Sequence, residues 1–157
     1  MITGGSGLLA INWALATRDR YEVTLGSHIR EVSLFGVESK HIPLESVDGL
    51  ASVLEELQPD LVIHTAGLTN IEECEVNPEL AYHINVELAE NVAKACLQLR
   101  IPLVHISTDH LFSGESKMVD ENHNVDPMNN YARTKAEAEV KVLEACPQAL
   151  VVRTNFY

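Results

Sequence analysis

Four short apolar runs recur along the chain, and stretches of helical periodicity fill the intervals between them. The runs are Val23-Thr-Leu25, Leu61-Val-Ile-His-Thr65, Leu103-Val-His-Ile-Ser107 and Leu150-Val-Val-Arg-Thr154. Nearly continuous apolar runs of this kind suit parallel strands buried on both faces. Pro59-Asp60, Pro102 and Pro147 stand at or near three of the entries. The spacing predicts helices from Gly7 to about Arg18, from Ser46 to about Leu57, from Pro78 through Cys96, and from about Asn130 to Ala145. In the second, Val47, Leu50, Val53, Leu54 and Leu57 form one stripe. In the third, Asn77 suits the N-cap, Pro78 the first helical position and Glu79 the positive helix end. Repeated strand–helix alternation predicts an α/β fold with right-handed crossovers. A length of 157 residues fits one domain.

Composition narrows the function classes. Lys and Arg number 11 against 23 Asp and Glu, a net charge of −12. That excess disfavours a nucleic-acid partner, which needs a basic footprint, and an anionic membrane surface. No apolar run approaches the ~20 residues of a membrane span, and no secretory pattern opens the chain, so a cytoplasmic location is expected. Cys74, Cys96 and Cys146 are too few and too scattered for a disulfide framework or zinc site. No histidine pair has helical zinc spacing, and no metal is expected. His64 and His105, inside apolar runs, read as satisfied core residues. Glu72-Glu73-Cys74-Glu75 reads as a solvated loop and helix start, and Trp13 as packing from the first helix.

Three short motifs carry chemistry. Thr3-Gly-Gly-Ser-Gly-Leu-Leu-Ala10 opens a helix after a strand, where glycines let the backbone approach a pyrophosphate at the helix N-terminus. The same residues also suit a plain glycine-rich turn. Tyr131 and Lys135 lie four apart, on one helix face, where an ammonium would lower the pKa of the phenol. Taken in isolation, they read as an ordinary exposed helix pair. Ser107-Thr108-Asp109-His110 follows an apolar strand, at the end where α/β folds bind ligands, or forms a polar turn.

In this order the motifs resemble the extended short-chain dehydrogenase/reductase family, and within it the sugar-nucleotide group typified by dTDP-4-dehydrorhamnose reductase. The narrower likeness rests on Ile106-Ser-Thr-Asp-His-Leu-Phe-Ser-Gly114, on Asp126-Pro-Met-Asn-Asn-Tyr-Ala-Arg-Thr-Lys-Ala-Glu-Ala-Glu139 and on Val152-Arg-Thr-Asn-Phe-Tyr157. His64-Thr-Ala-Gly-Leu-Thr-Asn-Ile-Glu-Glu-Cys-Glu75, with Asn85-Val86 beyond it, also fits. The resemblance implies a Rossmann-type doubly wound parallel sheet with helices on both faces, residues 1–157 forming an NAD(P)-binding domain. It implies reduction of a nucleotide-linked 4-keto-deoxysugar. Thr108 and Tyr131 would face the carbonyl, Tyr131 would give the proton, and Lys135 would hold the nicotinamide ribose. Gly4, Gly7 and Leu8 would follow the pyrophosphate, Ala66, Gly67 and Thr69 would border the cofactor, and Asp109 and His110 would approach the sugar. Asn85 would support the surroundings of the lysine or bond locally. In Leu25-Gly-Ser-His-Ile-Arg-Glu31, Arg30 and His28 suit a 2′-phosphate while Glu31 suits ribose hydroxyls. The reading leans to NADPH, with NADH open. A homodimer is compatible with the family's habit of pairing through helices.

Several positions depart from the family pattern. Ala10 replaces a third glycine, Ala132 and Ala138 replace helix glycines, and His110 stands where the rhamnose enzymes have Tyr. Only Met1 and Ile2 precede Thr3, so a shortened first strand and a weakened seat for the glycine loop are expected. The family's carboxyl-terminal sugar-binding region is absent after Tyr157, which suggests the cofactor-binding part of a longer enzyme. Two other readings stand beside the reductase. One is a non-catalytic nucleotide-binding or regulatory protein, as with the regulatory β subunit of methionine adenosyltransferase. The other is a nucleotide-sugar epimerase or dehydratase.

Overall fold

The computed structural model describes residues 1–115 and 118–155. Phe156 and Tyr157, the end of one motif quoted above, lie outside the described residues. Six parallel strands form one sheet in the order β3-β2-β1-β4-β5-β6. They are β1 (Ile2–Thr3), β2 (Thr24–Ser27), β3 (Glu38–His41), β4 (Val62–His64), β5 (Leu103–Thr108) and β6 (Leu150–Thr154). The order reverses between β1 and β4, so the strand ends there open a crevice of the kind that holds dinucleotides. The helices are α1 (Leu8–Thr17), α2 (Val47–Leu57), α3 (Ile71–Val76), α4 (Pro78–Tyr82), α5 (Leu88–Leu99) and α6 (Asn130–Ala145). Among the described residues no helix is long and apolar enough to cross a membrane.

The sheet is covered on both faces, but unequally. The main core joins Leu50 and Leu54 of α2, Val92 and Cys96 of α5 and Ala138 and Val142 of α6 to Val62 and Leu103 beneath them. Cys96 is fully buried there, as a small hydrophobe, and burial pushes its thiol up to about 12. The other face is thinner. Ala10 and Ala14 of α1 pack on Ile2 and Leu25, with Trp13 and Ile63 half-buried against them. Val104 and Ile106 stay half-exposed, and β6 has no fully buried residue, because α1 covers only the β1–β2 side. A cavity of about 700 Å³ opens at the amino ends of the strands, bordered by Trp13, Tyr21, Val23 and Leu61. Glu22, Glu38 and Asp60 also border it, and among the described residues they form no group that could hold a metal ion.

Local signals explain most element ends. Ser46 caps α2 by accepting from the Gly49 N–H, and Asn129 caps α6 by accepting from the Ala132 N–H at 2.8 Å. Asn77 precedes Pro78 as expected, yet its side chain caps nothing. Asn70 caps instead, accepting from Glu73 N–H at the start of α3. The third helix is also not uniform. Between α4 and α5 the residues His83–Glu87 form a turn of π-helix, a widening that often marks functional sites. The acidic cluster is not merely solvated, since Glu75 accepts from the backbone N–H and the side-chain amide of Asn130 and so ties α3 to the start of α6.

Two residues suffice for β1 because its side chains add to the ladder. Ile2 pairs with Leu25 on one side and Ile63 on the other. The Thr65 hydroxyl donates to the Thr3 carbonyl at 2.7 Å, and the Thr65 N–H donates to the Thr3 hydroxyl at 3.2 Å. The Gly5 N–H reaches the Gly26 carbonyl at 3.0 Å. The glycine loop is therefore seated despite the short strand.

Candidate active site at the carboxyl ends of the strands

Three glycines set the shape of the first loop. Gly4 has φ +67°, a conformation that costs a side-chain-bearing residue free energy. A Cβ there would stand 2.8 Å from the backbone of Ala66, so the β1 and β4 loops touch backbone to backbone. Gly5, which the sequence motif left as a spacer, is packed as tightly: a Cβ would come within 2.9 Å of Leu25. Gly7 is the N-cap of α1 and offers no side-chain acceptor, which leaves first-turn N–H groups without a side-chain cap. Ala10, in the place of the third glycine, is fully buried, so a methyl group fits beneath the helix.

A cleft of about 440 Å³ lies in front of this loop. Gly7, Leu8, Ala66, Gly67 and Thr69 line one side, and Thr108, His110, Tyr131 and Lys135 line the other. The structure thus brings together most residues singled out from sequence. Gly4 supports the cleft from behind. Asp109 is beside it rather than on its wall, with one buried carboxylate oxygen unpaired among the described residues. Arg30 is exposed in the irregular stretch after β2 and does not line the cleft. His28 is turned toward Glu45 and stacks on His41, with ring centroids 6.3 Å apart. Ser107, the first residue of the third motif, also lines the cleft, as does Thr154, which was not chosen from sequence. The position of Thr154 as the last residue of β6 was the available signal.

Lys135 is only 6% exposed. It donates to the Ile106 carbonyl at 2.7 Å and approaches His105 Nε2 at 3.5 Å. Burial lowers its pKa to about 8, against the opposing pull of the Glu139 carboxylate. Glu139 is itself held by Arg153 at 2.7 Å. Tyr131, one turn earlier on α6, meets the edge of His110 with ring centroids 6.0 Å apart. Its pKa is not lowered, as the helix spacing suggested, but raised by burial, with Thr108 pulling weakly the other way. The physical reason is the direction of the ammonium, which is spent on Ile106 and His105 instead of the phenol. His64 and His105 are buried as expected, but not satisfied: His64 Nε2 and His105 Nδ1 lack partners among the described residues.

Asn85, in the π turn, is a three-way staple. Its carbonyl accepts from Leu68 N–H at 2.7 Å, and its amide donates to the Leu68 carbonyl at 3.1 Å and to Thr134 Oγ1 at 2.9 Å. It therefore fixes the 67–69 loop against α6 and, among the described residues, makes no hydrogen bond to Lys135. Asn85→Ala should strand the Leu68 backbone groups and destabilise the fold by about 2–4 kcal/mol. Chemical denaturation checks this, and an unchanged midpoint would show that the staple is replaced without loss.

The pattern that defines the RmlD substrate binding domain matches residues 1–157. A probable low-salt glycan biosynthesis reductase of Haloferax volcanii is 31% identical over 99% of this chain and 52% of its own length. The crystal structure of a hypothetical dTDP-4-dehydrorhamnose reductase from Sulfolobus tokodaii superposes with a TM-score of 0.84 at 30% identity, covering 97% of this chain and 54% of that one. The Bacillus anthracis dTDP-4-dehydrorhamnose reductase, solved in complex with NADP, gives a TM-score of 0.81 at 29% identity, over 97% of this chain and 51% of that one. The chain thus spans about half the length of the relatives it matches.

Proposed function

The chain belongs to the RmlD substrate binding domain family, and from that premise we propose that it acts as an NADPH-dependent reductase of a nucleotide-linked 4-keto-deoxysugar, or as the cofactor-binding part of one. One observation carries the reading. The chain has a net charge of −12, yet among the described residues no Asp or Glu lines the cleft, and Lys135 is the one Lys or Arg that does. Such a site favours an anionic ligand against the field of the rest of the protein.

The residues present fit a dinucleotide. The Gly4–Ala66 contact leaves no side chain in front of the loop, and the uncapped start of α1 suits a pyrophosphate. Lys135 suits ribose hydroxyls, and Arg30, on the stretch after β2, suits a 2′-phosphate. The cofactor, when bound, supplies the hydride. Thr108 and Tyr131 would orient the substrate carbonyl, and Tyr131, kept neutral by burial, would donate the proton to the oxygen. The NADP-bound relative supports NADPH over NADH. The reading includes a cytoplasmic location, and the acidic charge supports the absence of a nucleic-acid partner. A helix-paired homodimer is the assembly to test by sedimentation.

Calorimetric titration with NADPH and then NADH tests the nucleotide half. Saturable binding, tighter for NADPH, is expected, and Arg30→Ala should narrow the preference. Tyr131→Phe should leave that binding intact while lowering reduction of a dTDP-linked 4-keto sugar by about 10²–10⁴-fold. Binding of neither nucleotide, or full turnover in the phenylalanine variant, would count against the reading.

A further inference from the structure

His64 and His105 stand opposite each other in the β4–β5 register, and their rings stack with centroids 5.4 Å apart and planes 21° from parallel. Each is 1% exposed. Below about pH 8 the Lys135 ammonium is a donor only, so His105 Nε2 must be the accepting nitrogen at 3.5 Å, and the His105 proton sits on Nδ1. The Thr3 hydroxyl, with two lone pairs, accepts from the Thr65 N–H at 3.2 Å and shares a hydrogen bond with His64 Nδ1 at 2.8 Å. Two buried imidazoles in apolar strands are costly as mere filling, because each leaves one nitrogen unpaired among the described residues. What they do in common is back Lys135.

Every group acting on the ammonium can be named. Glu139 lies on the same helix and is neutralised by Arg153. Ile106 and His105 come from β5, with His64 behind them on β4, and Tyr131 is one turn away on α6. Burial and the neighbouring ammonium both hold the two imidazoles in their neutral form.

We propose that His105 is a positioning residue: its unprotonated Nε2 and the Ile106 carbonyl take two protons of Lys135 and aim the third into the cleft, while the stacked His64, anchored on Thr3, holds the His105 ring in place. The functional consequence rests on the nucleotide reading above. The tautomer and the lysine titration do not, because they need no ligand.

The test uses the chain labelled with ¹⁵N in histidine and ¹³C in lysine. Long-range ¹⁵N spectra should show His105 neutral, with its proton on Nδ1, below about pH 8, where Lys135 is an ammonium. His105→Leu removes an acceptor from a buried ammonium, so the Lys135 titration midpoint should fall. NADPH affinity should weaken on the order of tenfold, the scale of a hydrogen bond to a charged group. His105→Gln keeps an acceptor oxygen near the same place and should restore both. A purely structural role would move neither the midpoint nor its rescue. If the leucine variant does not fold, Lys135→Met gives the reciprocal reading, in which His105 loses its preference for the Nδ1 proton. A His105 protonated at Nε2, or a Lys135 midpoint unmoved by His105→Leu, would overturn the proposal. A chain that binds neither nucleotide but shows the stated tautomer and midpoint shift sustains the positioning role and defeats the nucleotide reading alone.

Discussion

Gly4→Ala should lower the melting temperature by about 5–20 °C and abolish nucleotide binding. Two costs add at this position. The backbone sits at φ +67°, where a residue with a Cβ loses roughly 1–2 kcal/mol. The new methyl group would also stand 2.8 Å from Ala66 Cα and N, and backbone cannot rotate away as a flexible side chain can. Overpacking of that kind costs about 1–3 kcal/mol. The sum, roughly 2–5 kcal/mol, is a large share of the ~5–15 kcal/mol that holds a typical domain together. At this size each kcal/mol moves the melting temperature by about 2–4 °C. Gly114 supplies the control: its φ is +84°, but among the described residues nothing lies within 4 Å of its would-be Cβ. Gly114→Ala therefore isolates the conformational cost. A Gly4 variant that melts no lower than the Gly114 variant would show that the β1 and β4 loops are not in backbone contact.

That glycine was legible in the sequence because its constraint is local: a turn between a strand and a helix demands it. The apolar runs were legible for the same reason, and β6 was read to its exact limits, Leu150–Thr154. Edge strand β3 was not. Glu38–His41 is polar and mostly exposed, so its strand conformation comes from pairing with Thr24–Ser27, which no periodicity records. Helix ends were obscured similarly. Gln58 and Arg100 close α2 and α5 with φ of 46° and 58°, in the conformation that a glycine would have announced. The site shows the same division. Thr108, Tyr131 and Lys135 carry a spacing signature, and the fold brings them to one cleft. The direction of the lysine ammonium is different, because it depends on the carbonyl of Ile106 and a histidine 30 residues away. Helix spacing alone pointed it at the phenol.

Lys135→Met should gain stability relative to the parent as the pH falls from 10.5 to 7, and at the same time weaken NADPH binding by tenfold or more. The lysine pKa is about 8 in the folded chain and about 10.4 when unfolded. Below pH 8 both states carry the charge, and the full cost of burying it, on the order of 3 kcal/mol, weighs on the fold. Between pH 8 and about 10.4 the folded chain has released its proton while the unfolded chain still holds one, so stability rises with pH. Above that range the cost is gone. Methionine fills the space without a charge and lacks this rise. Its own penalty, an Ile106 carbonyl and a His105 Nε2 left without their donor, is about 1–3 kcal/mol for each and offsets part of that gain at every pH. Buried Cys96, raised to about 12, contributes the opposite slope, since the folded chain keeps a thiol proton that the unfolded chain loses from about pH 8.5. That slope is common to both proteins and cancels in their difference. The measurement is therefore the difference in unfolding free energy between variant and parent, followed from pH 7 to pH 10.5 by urea denaturation. It should favour methionine most at pH 7 and decline by on the order of 3 kcal/mol across the range. A flat difference would mean that the ammonium is not buried at cost. With the decline present and nucleotide affinity lost, the same side chain would be shown to destabilise the fold and to serve the ligand, which is the signature of a residue kept for function rather than for packing.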